Sequence, residues 1–221
     1  MDTSRVVVAL DGMTQKEALR IAEVLKGRVW GFKVNDLIFE DISIIKKLKK
    51  YGRVFADVKL YDIPNTVANS VKRLNLHNAD IITVHASGGI EMMKAAKLNC
   101  GKSKIIAVTI LTSKELKYKN EVLDLVKDVV KAKVHGIVCS GHELETVKHL
   151  PISKKMIKVV PGIRPASYTL KDDQKRKMTA KEALAFGASL IVIGRPITSV
   201  KFTRKNYKEN ILNALADAVR E

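Results

Sequence analysis

Cysteine is scarce in this chain: two residues in 221, Cys100 and Cys139, spaced neither as a metal-ligand pair nor as the framework of a secreted domain. That points to a reducing compartment, and a cytoplasmic location is the expectation. No apolar run reaches the length of a bilayer span. The start of the chain, Met1-Asp2-Thr3-Ser4-Arg5-Val6, carries no signal-peptide pattern. Aromatic residues make up only 5% of the sequence against 46% hydrophobic residues overall, so the core has to be assembled mainly from aliphatic side chains. The five histidines have no ligand spacing, and nothing supports dependence on a metal.

Acidic residues are the other shortage. Asp and Glu number 23 against 40 Lys and Arg, a formal net charge of +17. Such an excess suits nucleic acid, whose phosphates are neutralised by clustered cations. Here, however, most of the excess is lysine at helix positions expected to face solvent, as in Ile44-Ile45-Lys46-Lys47-Leu48-Lys49-Lys50. No RNA-binding aromatic signature, helix-turn-helix or zinc finger accompanies it. The charge reads as a solvated surface with some pull on anionic ligands. A basic nucleic-acid-binding barrel is the remote alternative.

What the chain has in quantity is alternation. Apolar strand-like runs at 6–10, 29–34, 54–59, 81–84, 105–110, 136–139, 157–160 and 190–193 are separated by amphipathic stretches. Those helical stretches fall near 15–26, 41–50, 64–76, 89–98, 120–132, 142–149, 180–186 and 205–219. Eight of each predict an α/β fold, a (β/α)8 barrel forming a single domain over residues 1–221. A doubly wound open sheet is the rival, because alternation does not establish closure. In such barrels the chemistry sits at the carboxyl ends of the strands. Asp11 ends the first run, Lys33 lies in the second, Asp57 and Lys59 in the third, and His85 follows the fourth. Thr112-Ser113 and Ser140 follow the fifth and sixth, and Gly162-Ile163-Arg164 and Gly194-Arg195 follow the last two.

The densest chemistry is Asp57-Val58-Lys59-Leu60-Tyr61-Asp62, directly after the apolar Val54-Phe55-Ala56. Residues two apart on a strand share a face, roughly 7 Å apart. Asp57 and Lys59 are therefore expected to point the same way, where unpartnered charge would be costly. An ammonium held between carboxylates stays protonated, which suits a proton donor or a stabiliser of negative charge. A structural ion pair is the plainer reading of the spacing alone. Asp62 lies past the strand, before Ile63-Pro64-Asn65-Thr66, where Pro64 suits the first turn of a helix.

The two Gly-Arg elements after the last two strands look like a phosphate grip, with glycine admitting an anion to the backbone and arginine supplying a forked donor. Between them runs a long irregular segment over 162–178, of a length that is commonly either a functional lid or disordered, with Gln174 on it. Other features are decoys. Gly101-Lys102-Ser103 lacks the first glycine of a P-loop and precedes a strand instead of following one. His142 has no zinc-motif partner, since position 146 is Thr. His85 reads as packing support, and Cys139 as a small buried strand residue.

The chain resembles the orotidine 5′-phosphate decarboxylase family. The resemblance spans nearly the whole sequence and rests on Val8-Ala9-Leu10-Asp11, Gly31-Phe32-Lys33, the run from Phe55 to Val67, and Val84-His85-Ala86-Ser87-Gly88-Gly89. It continues through Val108-Thr109-Ile110-Leu111-Thr112-Ser113, Val160-Pro161-Gly162-Ile163-Arg164-Pro165, Asp173-Gln174-Lys175-Arg176 and Ile193-Gly194-Arg195-Pro196-Ile197-Thr198. It implies conversion of orotidine monophosphate to UMP and CO2, the last step of de novo pyrimidine nucleotide synthesis, on a (β/α)8 (TIM) barrel without a cofactor.

By position, Lys59 resembles the family's proton donor, and Lys33, Asp57 and Asp62 the rest of its charged network. Asp11 and Lys33 resemble ribose contacts, and Thr112 the pyrimidine-edge residue. Arg164, Gln174, Gly194 and Arg195 resemble the ligand grip, the last two as the firmest phosphate contacts. Asp62 and Thr66 are implied to cross a homodimer interface into the neighbouring site. Sister sugar-phosphate lyases, such as Mg²⁺-dependent 3-keto-gulonate-6-phosphate decarboxylase, share the Asp-x-Lys-x-x-Asp core. They carry a Glu metal ligand near the position of Lys33, and they are the main alternative.

Overall fold

Eight parallel strands close on themselves in chain order: β1 (Val6–Ala9), β2 (Gly31–Val34), β3 (Arg53–Leu60), β4 (Ile81–His85), β5 (Lys104–Val108), β6 (Gly136–Val138), β7 (Ile157–Val160) and β8 (Leu190–Ile193). The last pairs with the first, Val7 opposite Val192, so the barrel is closed and the open-sheet alternative is excluded. These details come from a computed structural model that describes residues 2–110, 119–147, 149, 150, 155–166, 168, 178–199 and 206–220. Among the described residues no helix is long and apolar enough to cross a membrane.

The strands are short and apolar on both faces because each face is covered. Val7, Ala9, Phe55, Ile81, Ile106, Val159, Leu190 and Val192 fill the barrel interior as one cluster. Their neighbours Val6, Val8, Val54, Ala56, Ile82 and Ile191 point outward to the helices and join a second, larger cluster. A period of two along each strand thus feeds two separate cores.

The helices follow the same local rules. In α1 (Gln15–Leu25), Thr14 caps the start and exchanges hydrogen bonds with Glu17, while Ala18, Ile21, Ala22 and Leu25 bury one face. In α4 (Pro64–Leu76), Pro64 opens the first turn and Val67, Ala68, Val71 and Leu74 are buried. The helix expected over 41–50 is the shorter α3 (Ile44–Leu48), and an unexpected α2 (Asp36–Glu40) precedes it. Asp41 divides them: its N–H closes α2 on the Leu37 carbonyl, while its carboxylate accepts from Ser43 and Lys47 of the next turn. The remaining helices are α5 (Gly89–Leu98), α6 (Lys119–Lys131), α7 (Gly141–Val147), α8 (Ala180–Ala185), α9 (Arg195–Thr198) and α10 (Tyr207–Val219). The short α9 was not expected; it starts at the carboxyl end of β8, at the mouth of the barrel.

Candidate active site

One end of the barrel opens into a cavity of about 450 Å³, within the range that holds small ligands. Its lining comes from the carboxyl ends of the strands. Asp11, Lys33, Asp57 and Lys59 form one wall; Val108, Ile110, Val138, Cys139 and Val159 give an apolar stretch; Gly162, Arg164, Gly194, Arg195 and Thr198 complete the rim. The space therefore offers charge of both signs, then apolar surface, then arginines.

The charged wall is a chain of alternating sign across three neighbouring strands. Lys33 Nζ donates to Asp11 Oδ2 on one side and lies 3.3 Å from Asp57 Oδ2 on the other. Lys59 Nζ donates to the same Asp57 Oδ2 at 2.8 Å. Adjacent strands bring these side chains together, Ala9 pairing with Lys33 and Lys33 with Phe55. Lys33 is buried, and burial alone would push its pKa down; the adjacent Asp57 and Asp11 carboxylates outweigh this and raise it. It stays an ammonium. The Lys59 side chain is 29% exposed against 10% for Lys33, so of the two cavity-lining lysines Lys59 is the more open and Lys33 the more enclosed by carboxylates.

Asp57 and Lys59 do share a face, as the sequence predicts, but a regular strand does not put them there. Between Ala56 and Leu60, β3 advances four residues while β4 advances two, from Ile82 to Val84. Lys59 sits inside this bulge with φ of 49°, a left-handed backbone that a side chain tolerates poorly. Strain of this sort gathers at functional positions. Within this chain the ammonium held between two carboxylates is that of Lys33. Among the described residues of this chain, the one carboxylate on Lys59 is that of Asp57. Asp62 is exposed past the strand end, its Oδ1 accepting from the Ile63 N–H at 2.6 Å, and Thr66 is exposed in the first turn of α4.

On the rim, Gly162 has φ of 78°, a backbone that favours glycine. Arg164 is buried, donates to the Ile163 carbonyl at 2.8 Å and packs over the Tyr168 ring. Gly194 immediately precedes α9, and a Cβ there would meet Ala9 at 3.4 Å, an ordinary contact. Arg195 and Thr198 on α9 face the cavity, and Thr198 is a lining residue that the sequence reading missed. Cys139 lies on the apolar stretch, where burial pushes its thiol pKa up and keeps it protonated, a poor nucleophile. His85 meets the Tyr61 ring edge-on, as a packing residue does. Thr112, with Ser113, and Gln174 lie outside the described residues.

Sequence reasoning also missed Thr83, fully buried in β4 beneath the charged wall. Its signal was a lone hydroxyl in an otherwise aliphatic run, Ile81-Ile82-Thr83-Val84.

Comparison with known proteins agrees with this geometry. The sequence model described as "Orotidine 5'-phosphate decarboxylase / HUMPS family" matches residues 4–209. A Lawsonia intracellularis protein named orotidine 5′-phosphate decarboxylase is 43% identical, the match covering 90% of this chain and 93% of that one. Its namesake from Idiomarina loihiensis is 40% identical, covering 90% and 92%. Among solved structures, orotidine 5′-phosphate decarboxylase from Lactobacillus acidophilus superposes with a TM-score of 0.77 at 32% identity, over 99% of this chain and 100% of that one.

Proposed function

Since the chain belongs to the orotidine 5′-phosphate decarboxylase / HUMPS family, we propose that it converts orotidine 5′-monophosphate to UMP and CO2, closing de novo pyrimidine nucleotide synthesis in the cytoplasm. The observation that carries this reading is the Asp11–Lys33–Asp57–Lys59 chain of charges on one wall of the cavity. In the proposed reaction the bond from C6 of the pyrimidine to the carboxylate breaks and its electron pair remains on carbon. The Lys59 ammonium stabilises that charge from a fixed position and gives its proton to C6. Lys59 is then recharged from solvent. Asp57, held against both lysines, would stand near the departing carboxylate and add repulsion that is relieved as CO2 leaves.

The far rim suits the other end of the nucleotide. The backbone N–H and guanidinium of Arg195, with Gly194 and Arg164, would take the phosphate, and Gln174 would close over it. Asp11 and Lys33 would contact the ribose, and Thr112 the pyrimidine edge. Phosphate binding remote from C6 is then available to drive assembly of the reactive arrangement. Arg195→Ala is expected to raise KM by about 10- to 150-fold, the equivalent of one charge-assisted hydrogen bond of ~1.5–3 kcal/mol. An unchanged KM in steady-state kinetics would show that the grip is elsewhere.

The working unit in this proposal is a homodimer whose sites are completed by Asp62 and Thr66 of the neighbouring copy. Tyr61 and Ile63, on either side of Asp62, are 64% and 66% exposed, more apolar surface than a solvated turn normally shows.

The second reading, a Mg²⁺-dependent sugar-phosphate lyase, is favoured by one feature: the matching family model spans both groups, which share the Asp57-x-Lys59-x-x-Asp62 core. Against it, Lys33 holds an ammonium where those enzymes need a metal-binding carboxylate, and like charges repel. With EDTA in excess, addition of the protein to orotidine monophosphate is expected to lower the absorbance at wavelengths where the substrate absorbs more strongly than UMP. Activity that vanishes with EDTA and returns with Mg²⁺ would overturn cofactor independence.

A further inference from the structure

Thr83 occupies the point where the bulge of β3 meets β4. Its hydroxyl makes two hydrogen bonds and has no exposure to solvent: Oγ1 accepts from the Lys59 N–H at 2.9 Å and donates to Asp57 Oδ1 at 3.0 Å. A hydroxyl has one proton to give, and here it goes to a carboxylate oxygen that neither lysine uses, since Lys33 and Lys59 both face Oδ2. On its acceptor side the hydroxyl receives the Lys59 N–H, which regular pairing would have sent to a carbonyl. The register shift removes that carbonyl, because β4 advances two residues across the stretch where β3 advances four. Without a substitute the Lys59 N–H would be left unsatisfied in a residue already at φ of 49°.

We propose that Thr83 is a positioning residue for the decarboxylation: one buried hydroxyl fixes both the backbone of Lys59 and the carboxylate of Asp57, and so sets the place of the ammonium over the cavity. It does not line the cavity, so it acts through its two partners and not on the ligand. The inference rests on the decarboxylase reading for its kinetic consequence but not for its structural one. Displacing a fixed charge by a fraction of an ångström costs the step in which that charge acts and leaves remote phosphate binding alone.

The test compares Thr83→Val, which keeps the shape and removes the hydroxyl, with Thr83→Ser, which keeps the hydroxyl. Valine is expected to lower kcat for orotidine monophosphate about 10- to 100-fold with KM within about threefold, and serine to return kcat to within about threefold of the parent. Amide hydrogen exchange supplies a readout that needs no substrate. In Thr83→Val the Lys59 amide is expected to exchange at least about tenfold faster while Ala56, in regular pairing, keeps its protection. If valine leaves kcat and Lys59 exchange at parental values, the inference fails. A fall in kcat with valine that serine does not restore would likewise overturn it, because the loss would then come from packing. A parent protein inactive on orotidine monophosphate would defeat the decarboxylase reading, whereas the exchange result would still decide whether Thr83 holds the bulge.

Discussion

Lys59→Ala is expected to lower decarboxylation by at least about 10⁴-fold, since in the proposed reaction it removes both the fixed charge facing C6 and the proton that C6 would receive. UMP affinity should change by less than about tenfold, because the proposed phosphate grip of Arg164 and Arg195, which line the same cavity, is left intact. Alanine is the right replacement for a backbone reason. It carries a Cβ, as lysine does, so the left-handed conformation at position 59 is neither relieved nor worsened. Glycine would relax the bulge and confuse loss of charge with loss of shape. Single-turnover kinetics, with product titrated separately, distinguish the outcomes. Retention of more than about one per cent of activity would remove Lys59 from the role of donor.

The next largest effect concerns the assembly. Lys59→Ala and Asp62→Ala chains are each expected to be inactive as pure dimers and to recover activity when mixed. In a mixed dimer with exchanged Asp62 residues, one site carries both defects and the other carries neither, so the ceiling is about half that of the parent dimer by two-fold symmetry. The geometry motivates this: Asp62 is exposed and turned back on the Ile63 N–H, while Lys59 points into its own cavity beside Asp57. No recovery in demonstrated heterodimers would mean that Asp62 serves the chain it belongs to.

The barrel was largely legible because each strand is a dense aliphatic run and each long helix repeats its apolar residues at three and four. Strand starts and ends agree with the observed ones to within about two residues, as at β3, expected from 54 and observed from Arg53. The helices that escaped notice, α2 and α9, are five and four residues long, too short for a period to emerge. Within the site, the spacing of Asp57 and Lys59 was visible, whereas the partnership of Lys33 with two carboxylates depends on which strands are neighbours. The bulge was invisible for a different reason. Its left-handed residue is a lysine, so no glycine marked it, and its partner Thr83 lies 24 residues away on another strand.

That concealed irregularity has a consequence for anyone transplanting this chemistry. Copying Asp57 and Lys59 into the regular strands of an idealised barrel would reproduce the letters but not the aim of the ammonium, since uniform pairing has no left-handed step. The portable unit is a patch of two strands: residues 56–60 with their surplus length, and the threonine opposite them. A graft should be designed around that patch.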